Sequence, residues 1–361
     1  VITLDNNANL PKDLQDKCCI YHLKVRGANK VGSLPNVFSK LIFKYLLRDL
    51  ISYLNKHNPT KEDVFFYEEF HISFIKWVLD AEYPQCENFI RVHGTFPEFT
   101  MNYQRLKFRK KHFDWATSNK KKNIVTTTNF YIDYLNENYF KNSYDVIQNI
   151  NYFILPNVLE INIENPVSVN NDSNLDEKYF KILQLGRMDE IGYFQKGFED
   201  TIKSLIYIES NMPEVSERIE LTIIGNGSEV KRFFSIKNKL KKVKINFYDS
   251  LPNEKVQEII SNTDLVLMPS RCEGMSMFAT EVIYKGKPII FTANNGLRDY
   301  LIDGVNGFKV QEYDYTEIAE ALIEYANNRR LLLEHGRNNL NLARQISEKT
   351  SACVDVIFDR G

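Results

Sequence analysis

Cysteine, glycine, proline and long apolar runs are all scarce in this sequence, and each scarcity closes off a class of protein. The five cysteines among 361 residues are odd in number and form no C-x-x-C pair. Neither a disulfide framework nor a zinc ribbon is therefore encoded, and reduced thiols are expected. The six histidines include no H-x-x-x-H pair, so no metal-ligand spacing stands out. With 15 glycines and 11 prolines the chain is neither fibrous nor a linker. No stretch approaches the roughly eighteen apolar residues that a spanning helix needs. The sequence opens on Val1 rather than Met, so the lack of an N-terminal leader carries little weight.

What is present fits a folded chain of two domains: 43 % apolar and 26 % charged residues over a length too great for one ordinary core. The net charge of −1 hides an asymmetry. Residues 1–155 hold 21 Lys and Arg against 16 Asp and Glu, whereas the remainder holds 25 against 31. Much of the basic excess lies in RLKFRKKHFDWATSNKKK (105–122), where eight basic residues accompany a single acid, Asp114. Interleaved with Phe108, Phe113 and Trp115, this stretch suits an anionic membrane surface or a phosphorylated substrate. The plainer alternative is a solvated helix face followed by a lysine-rich loop. No nucleic-acid partner is indicated.

Short strand-like runs alternate with longer helical ones. Val1–Leu4, Ile20–Val25, Val64–Tyr67, Phe89–His93 and Ile124–Thr127 are expected strands, with helices over Val37–Leu54 and Ile72–Leu79. Later strands are expected at Phe180–Leu185, Leu221–Gly225, Lys244–Phe247, Leu265–Pro269, Pro288–Thr292 and Gly307–Val310. Helices are expected at 197–209, 228–240, 253–261, 277–285 and 316–327. Residues 153–180 break the pattern with two prolines and a polar middle, which predicts a linker. A last helix over 342–360 is expected to be interrupted near Ser347. Alternation of this kind predicts an α/β protein of two Rossmann-like domains with parallel sheets. Their ligands would lie beyond the carboxyl ends of the strands.

The densest chemical signal is DLVLMPSRCEGMSMFATEVIYKGKP, starting at Asp264. A strand ends at Pro269, a short loop follows, and a helix begins near Met275–Met277. The backbone N–H groups of Gly274, Met275 and Ser276 are then unpaired donors at a helix start, a natural anion site. Glu273 stands in the loop and Glu281 about two turns into the helix. A carboxylate such as Glu281 can accept from both hydroxyls of a ribose. Spacing alone would leave both glutamates as ordinary exposed side chains.

This segment resembles the E-x7-E signature of retaining glycosyltransferases with the GT-B fold, especially glycosyltransferase family 4. Other pieces fall in that family's order: KILQLGRMDEIGYFQKGFEDTIKSL (181–205), LTIIGNG (221–227), INFYDSLPNEKVQEIISNTDLVLMPS (245–270) and GKPIIFTANNGLRDYLIDGVNGFKV (286–310). IRVHGTF (90–96) and LPNV (155–158) are fainter matches. The resemblance implies two Rossmann-like domains facing across a cleft: an acceptor domain over 1–160, a donor domain over 161–345, and a terminal helix over 346–361 crossing back.

It also implies roles. Glu281 would hold ribose, and Glu273 with the 274–276 amides would hold the donor sugar. Arg187 and Lys196 would neutralise the diphosphate, since no Asp-x-Asp triplet is present to hold a metal. Their spacing of nine exceeds the family's usual gap and implies a small loop insertion. Gly225 and Gly227 would turn sharply near the nucleotide, and main chain near Ser250–Leu251 would meet the base. In the acceptor domain the family's histidine position falls at Glu68 or Glu69, with His71 just beyond, while His93 is the better-placed imidazole. VITLDNN resembles the family's second strand, so one βα unit of about 30 residues is expected to be missing.

The expected activity is retaining, metal-independent transfer from a nucleotide-sugar, UDP-linked, to a glycan or lipid-linked glycan, without any other cofactor. A bacterial polysaccharide pathway at the cytoplasmic face of a membrane would suit it. The alternatives are an inactive GT-B subunit that binds a partner transferase, or a nucleotide-sugar epimerase or sugar phosphorylase of related fold.

Overall fold

The computed structural model describes residues 2–3, 21–22, 36–68, 73–92, 122–139, 148–157, 159 and 179–358. The chain divides into two compact units, and each is described by itself. The first comprises Val1–Val92, Asn102–Val125 and Asn142–Tyr152; the second comprises His93–Met101, Thr126–Lys141 and Phe153–Gly361.

In the first unit, β1 (Ile2–Thr3) pairs in parallel with β2 (Tyr21–His22). Helices α1 (Asn36–Leu46) and α2 (Arg48–His57) follow, divided at Leu47 where one helix had been expected. The hydrogen bonds from Leu47 N to Phe43 O and from Ile51 N to Leu47 O continue across the division. Asn58, at φ 47°, ends α2 in the left-handed conformation that terminates many helices. A four-stranded sheet is ordered β3 (Val64–Glu68), β4 (Glu87–Val92), β5 (Lys122–Thr126), β6 (Ile150–Ile154), with β3 and β4 parallel. Helix α3 (Ser73–Glu82) joins β3 to β4. It buries Ile75, Val78 and Leu79 together with the Lys76–Asp80 ion pair, whose N–O distance is 2.5 Å. Strand β6 begins within three residues of the expected linker and was not foreseen.

The second unit includes α4 (Asn129–Tyr134) and is built around a six-stranded parallel sheet. Its strands are β7 (Phe180–Leu185), β8 (Ile219–Ile224), β9 (Lys244–Tyr248), β10 (Leu265–Met268), β11 (Ile289–Thr292) and β12 (Gly307–Val310), in the spatial order β12-β11-β10-β7-β8-β9. Strands β10 and β11 are buried at every position, as strands covered on both faces must be. Successive side chains leave opposite faces of a strand, and the two cores show it. Ile182, Leu265 and Leu267 join one cluster, with helices α6 (Phe198–Asn211), α7 (Pro213–Ser216), α8 (Val230–Lys237) and α11 (Tyr315–Asn327). Leu183, Val266 and Met268 join the other, with α9 (Asn253–Asn262), α10 (Met277–Tyr284) and α12 (Arg330–Phe358).

Short helix α5 (Glu190–Gln195) occupies the widened gap between Arg187 and Lys196. Helix α12 runs unbroken through Ser347, contrary to expectation. Ala343 and Ile346 are buried on that side of the sheet, and the Ser347 hydroxyl meets the Tyr284 hydroxyl at 2.7 Å. With its hydroxyl satisfied and its neighbours packed, Ser347 does not interrupt the helix. Among the described residues no helix is long and apolar enough to cross a membrane.

Candidate active site

In the second sheet the chain order reverses between β7 and β10, which lie side by side while their successors run outward in opposite directions. Loops leaving the carboxyl ends of two such strands diverge and leave a crevice. The loop after β7 carries Arg187, whose guanidinium lies 3.1 Å from Asp189 and is largely exposed. Asp189 also caps α5 by accepting from Gly192 N at 2.6 Å. After α5 the chain passes Lys196 and turns through Gly197, at φ +66°, into α6.

This turn is sewn to the loop after β10. Arg271 N donates to Gln195 O at 2.8 Å, and Gln195 Nε2 donates to Cys272 O at 2.6 Å. Gln184 Nε2 on β7 holds the Lys196 carbonyl at 2.9 Å. The aliphatic stem of Lys196 lies over Gly186, where a Cβ would meet its Cγ at 2.7 Å. With backbone and stem fixed, the Lys196 ammonium donates to Glu273 Oε1. The side chains are 20 % and 9 % exposed, so a pair of opposite charges stands partly out of water at the switch point.

The loop then runs through Gly274 and Met275 to Ser276, which is extended at the N-cap of α10 and accepts from Ala279 N at 3.4 Å. Gly296 N donates to Glu273 O at 2.7 Å, and Asn295 Nδ2 donates to Ser270 O at 2.6 Å. Tyr131 of α4 covers Gly274, leaving no room for a Cβ. Asn157 Nδ2 donates to Met275 O at 2.7 Å. Of the three amides expected to be unpaired, that of Met275 already faces the Thr127 hydroxyl at a long 3.4 Å.

Glu281 lies half-buried on α10, and burial raises its carboxyl above the ordinary range, opposed by Gln257 of α9. The turn after β8 abuts the Arg187 loop: Met188 N donates to Asn226 O and Glu229 N to Met188 O, both at 2.8 Å. Gly227, at φ +156°, could carry no Cβ because Met188 C and Asp189 N would lie 2.1 Å away. Gly225 faces the Gly186 carbonyl, 2.3 Å from where a Cβ would sit. Leu251 packs into the same cluster as Leu185 and Ile224. The structure thus gathers the loops carrying Arg187, Lys196, Glu273, Gly225 and Gly227. His93, Glu69 and His71 lie outside the described residues, as do the Glu68 side chain and 105–121.

Residues 169–344 match the family model described as glycosyl transferases group 1. The match covers just under half of the chain. Among curated relatives, an uncharacterised glycosyltransferase of Methanocaldococcus jannaschii is 27 % identical over 168 residues, 46 % of this chain and 45 % of that protein. A poly(ribitol-phosphate) α-N-acetylglucosaminyltransferase of Staphylococcus aureus is 23 % identical over 139 residues, 37 % of this chain and 27 % of that protein. The matches span less than half the length of these relatives. Among solved structures, sucrose-phosphate synthase from Thermosynechococcus elongatus aligns with a TM-score of 0.71 at 14 % identity, covering 99 % of this chain and 88 % of that one. HepE of Anabaena, solved in complex with UDP, aligns at 0.63 and 13 % identity, covering 87 % and 82 %. The fold is GT-B, with two parallel-sheet α/β units.

Reading the sequence alone missed Arg271, Gln195, Asp189, Tyr131 and Thr127, all of which shape the loops at this site. Arg271 sits inside the segment already singled out, two residues before Glu273, and a basic residue at that spot was the one available signal.

Proposed function

We propose that the chain is a retaining glycosyltransferase that moves a sugar from a UDP-sugar to a glycan or lipid-linked glycan. The observation that carries this reading is the Lys196–Glu273 pair, held at the switch point beside exposed Arg187. Breaking a sugar–phosphate bond leaves a diphosphate of growing negative charge. Arg187 and Lys196 supply fixed cations for it, each worth about 2–4 kcal/mol at the transition state. Glu273 keeps Lys196 ordered before the donor arrives and takes sugar hydroxyls afterwards, with the Gly274–Ser276 main chain alongside. Glu281 takes the ribose hydroxyls, and the main chain near Leu251 takes the base.

The departing phosphate accepts the proton of the acceptor hydroxyl on the same face, so retention needs no separate general base. His93 orients the acceptor in this reading. No metal and no cofactor beyond the donor is required. The uridine assignment is supported by the complexes of HepE with UDP and of the pneumococcal O-GlcNAc transferase GtfA with UDP and GlcNAc. A polymer acceptor is supported by the poly(ribitol-phosphate) relative, and the eight basic residues of 105–122 are the ground for placing the enzyme at the cytoplasmic face of an anionic membrane.

The test is a thermal-shift and hydrolysis panel over UDP-, GDP-, ADP- and dTDP-sugars without metal, run beside Glu281→Ala. A donor at one hundred times its Kd should stabilise by about 2.7 kcal/mol. A UDP-sugar that shifts the wild type but not the variant supports the reading. No shift or hydrolysis with any donor overturns it.

A further inference from the structure

We propose that Arg271 is a positioning residue that fixes both ends of the Lys196–Glu273 pair; the inference rests on the donor-site reading above. Arg271 takes no part in that reading, yet its side chain is only 10 % exposed. One guanidinium nitrogen donates to Asp200 Oδ2 at 2.5 Å and the other to Phe194 O. Two aromatic rings pack against it, with the Phe194 centroid 4.5 Å and the Tyr313 centroid 4.2 Å from Cζ and the two centroids 6.1 Å from each other. Its own backbone N–H holds Gln195 O.

Its hydrogen-bond partners all flank Lys196 in the chain, and among the described residues the one further charge that it influences is the Glu312 carboxylate. Phe194 and Gln195 immediately precede Lys196, and Asp200 lies in the first turn of the helix that follows. Arg271 itself stands two residues before Glu273. The same side chain therefore sets where α5 stops, where α6 starts and where the β10 loop leaves the sheet, which together place an ammonium against a carboxylate.

The surroundings mark this as a costly arrangement kept for a geometric purpose. Burying a guanidinium and a carboxylate together repays little on its own. Arg271 Nε is buried without a hydrogen-bond partner. Tyr313 covers the guanidinium from a backbone at φ +66°, a conformation that side chains other than glycine seldom adopt. Phe194 and Tyr313 stay exposed at 47 % and 57 %. Lysine could keep the charge beside Asp200 but could not also reach Phe194 O, nor lay a planar group against the two rings.

The experiment compares Arg271→Ala with Arg329→Ala, a matched control. Arg329 makes a slightly less secluded ion pair with Asp264, at 3.0 Å, at the opposite ends of the strands. Lys196 is acylated in a short pulse and quantified by mass spectrometry, and kcat and donor Kd are measured at equal folded fraction. Loss of Arg271 should raise the Lys196 labelling rate several-fold and lower kcat about a hundredfold, with a smaller change in Kd, as misplacement of a reacting group by about 1 Å does. Free guanidinium should restore part of kcat, and Arg329→Ala should change neither readout. Should Arg271→Ala fail to fold, Arg271→Lys carries the same comparison with smaller changes. Labelling and kcat indistinguishable from those of Arg329→Ala would overturn the proposal. Should the wild type turn over no donor, the functional reading fails, while the labelling still decides whether Arg271 holds Lys196.

Discussion

A methyl group on Gly197 would sit 2.4 Å from the carbonyl oxygen of Pro269. The turn between α5 and α6 thus passes the end of β10 at backbone contact, and this closeness brings Lys196 within reach of the β10 loop. A left-handed φ of +66° adds a second demand for glycine. Gly197→Ala should therefore cost at least about 2 kcal/mol, combining the left-handed penalty with the displacement of a carbonyl that has no slack. Urea unfolding checks the cost. Donor binding should fall in the variant that remains folded, because the displaced turn carries Lys196 with it.

Gly274 makes a different demand, since steric room alone forbids a side chain there. A Cβ would lie 2.3 Å from the Tyr131 hydroxyl and within 2.6 Å of two ring carbons. Gly274→Ala should destabilise by about 1–3 kcal/mol, the usual range for overpacking. Tyr131→Leu in the same chain should recover part of the loss by clearing the space. Melting temperatures of the two single variants and the double variant check this, and simple additivity would contradict the contact.

The second sheet was legible because its strands are short apolar runs separated by helices, and β10 and β11 are buried at every residue. Strand β6 was not legible, because only Ile150 of its five residues is fully buried and no apolar alternation marks it. Helix α5 is too short to show a period. Arg187, Lys196 and Glu273 could each be picked out locally, but their meeting is a property of strand order: Lys196 and Glu273 stand 77 residues apart. Arg271 escaped notice for the same reason, since its contacts with Phe194 and Asp200 span 77 and 71 residues. The break expected near Ser347 does not form, because Ala343 and Ile346 beside it are buried and the Ser347 hydroxyl bonds to Tyr284.

Glu281 gives the site a pH signature. Burial raises its carboxyl above the ordinary 4.5, so the folded state holds the proton more tightly than the unfolded chain. The sign follows from linkage: the contribution to stability is full below pH 4.5 and is lost as pH rises through the folded value. Glu281→Gln removes that loss, so the variant should gain on the wild type as pH climbs from 4 to 8, while its nucleotide affinity falls if Glu281 holds ribose. Urea midpoints across that range check the first effect and a UDP titration checks the second. A constant difference between variant and wild type at all pH values would contradict the burial effect.

The Lys196–Glu273 pair allows the sharpest separation of stability from function. Removing one member of a secluded ion pair leaves the other charge without compensation, which costs more than the pair contributes when intact. Lys196→Ala should therefore destabilise by about 2–4 kcal/mol, toward the lower side of the buried-pair range because the lysine is one-fifth exposed. Glu273→Gln keeps the shape and leaves an ammonium that water can reach, so its cost should be smaller. In the double variant no carboxylate is left stranded, and part of the stability should return. Activity should not return with it, since the cation facing the diphosphate is still missing. Urea unfolding of all four proteins beside donor-hydrolysis rates distinguishes these effects, and parallel recovery of stability and activity in the double variant would make Lys196 a structural lysine only.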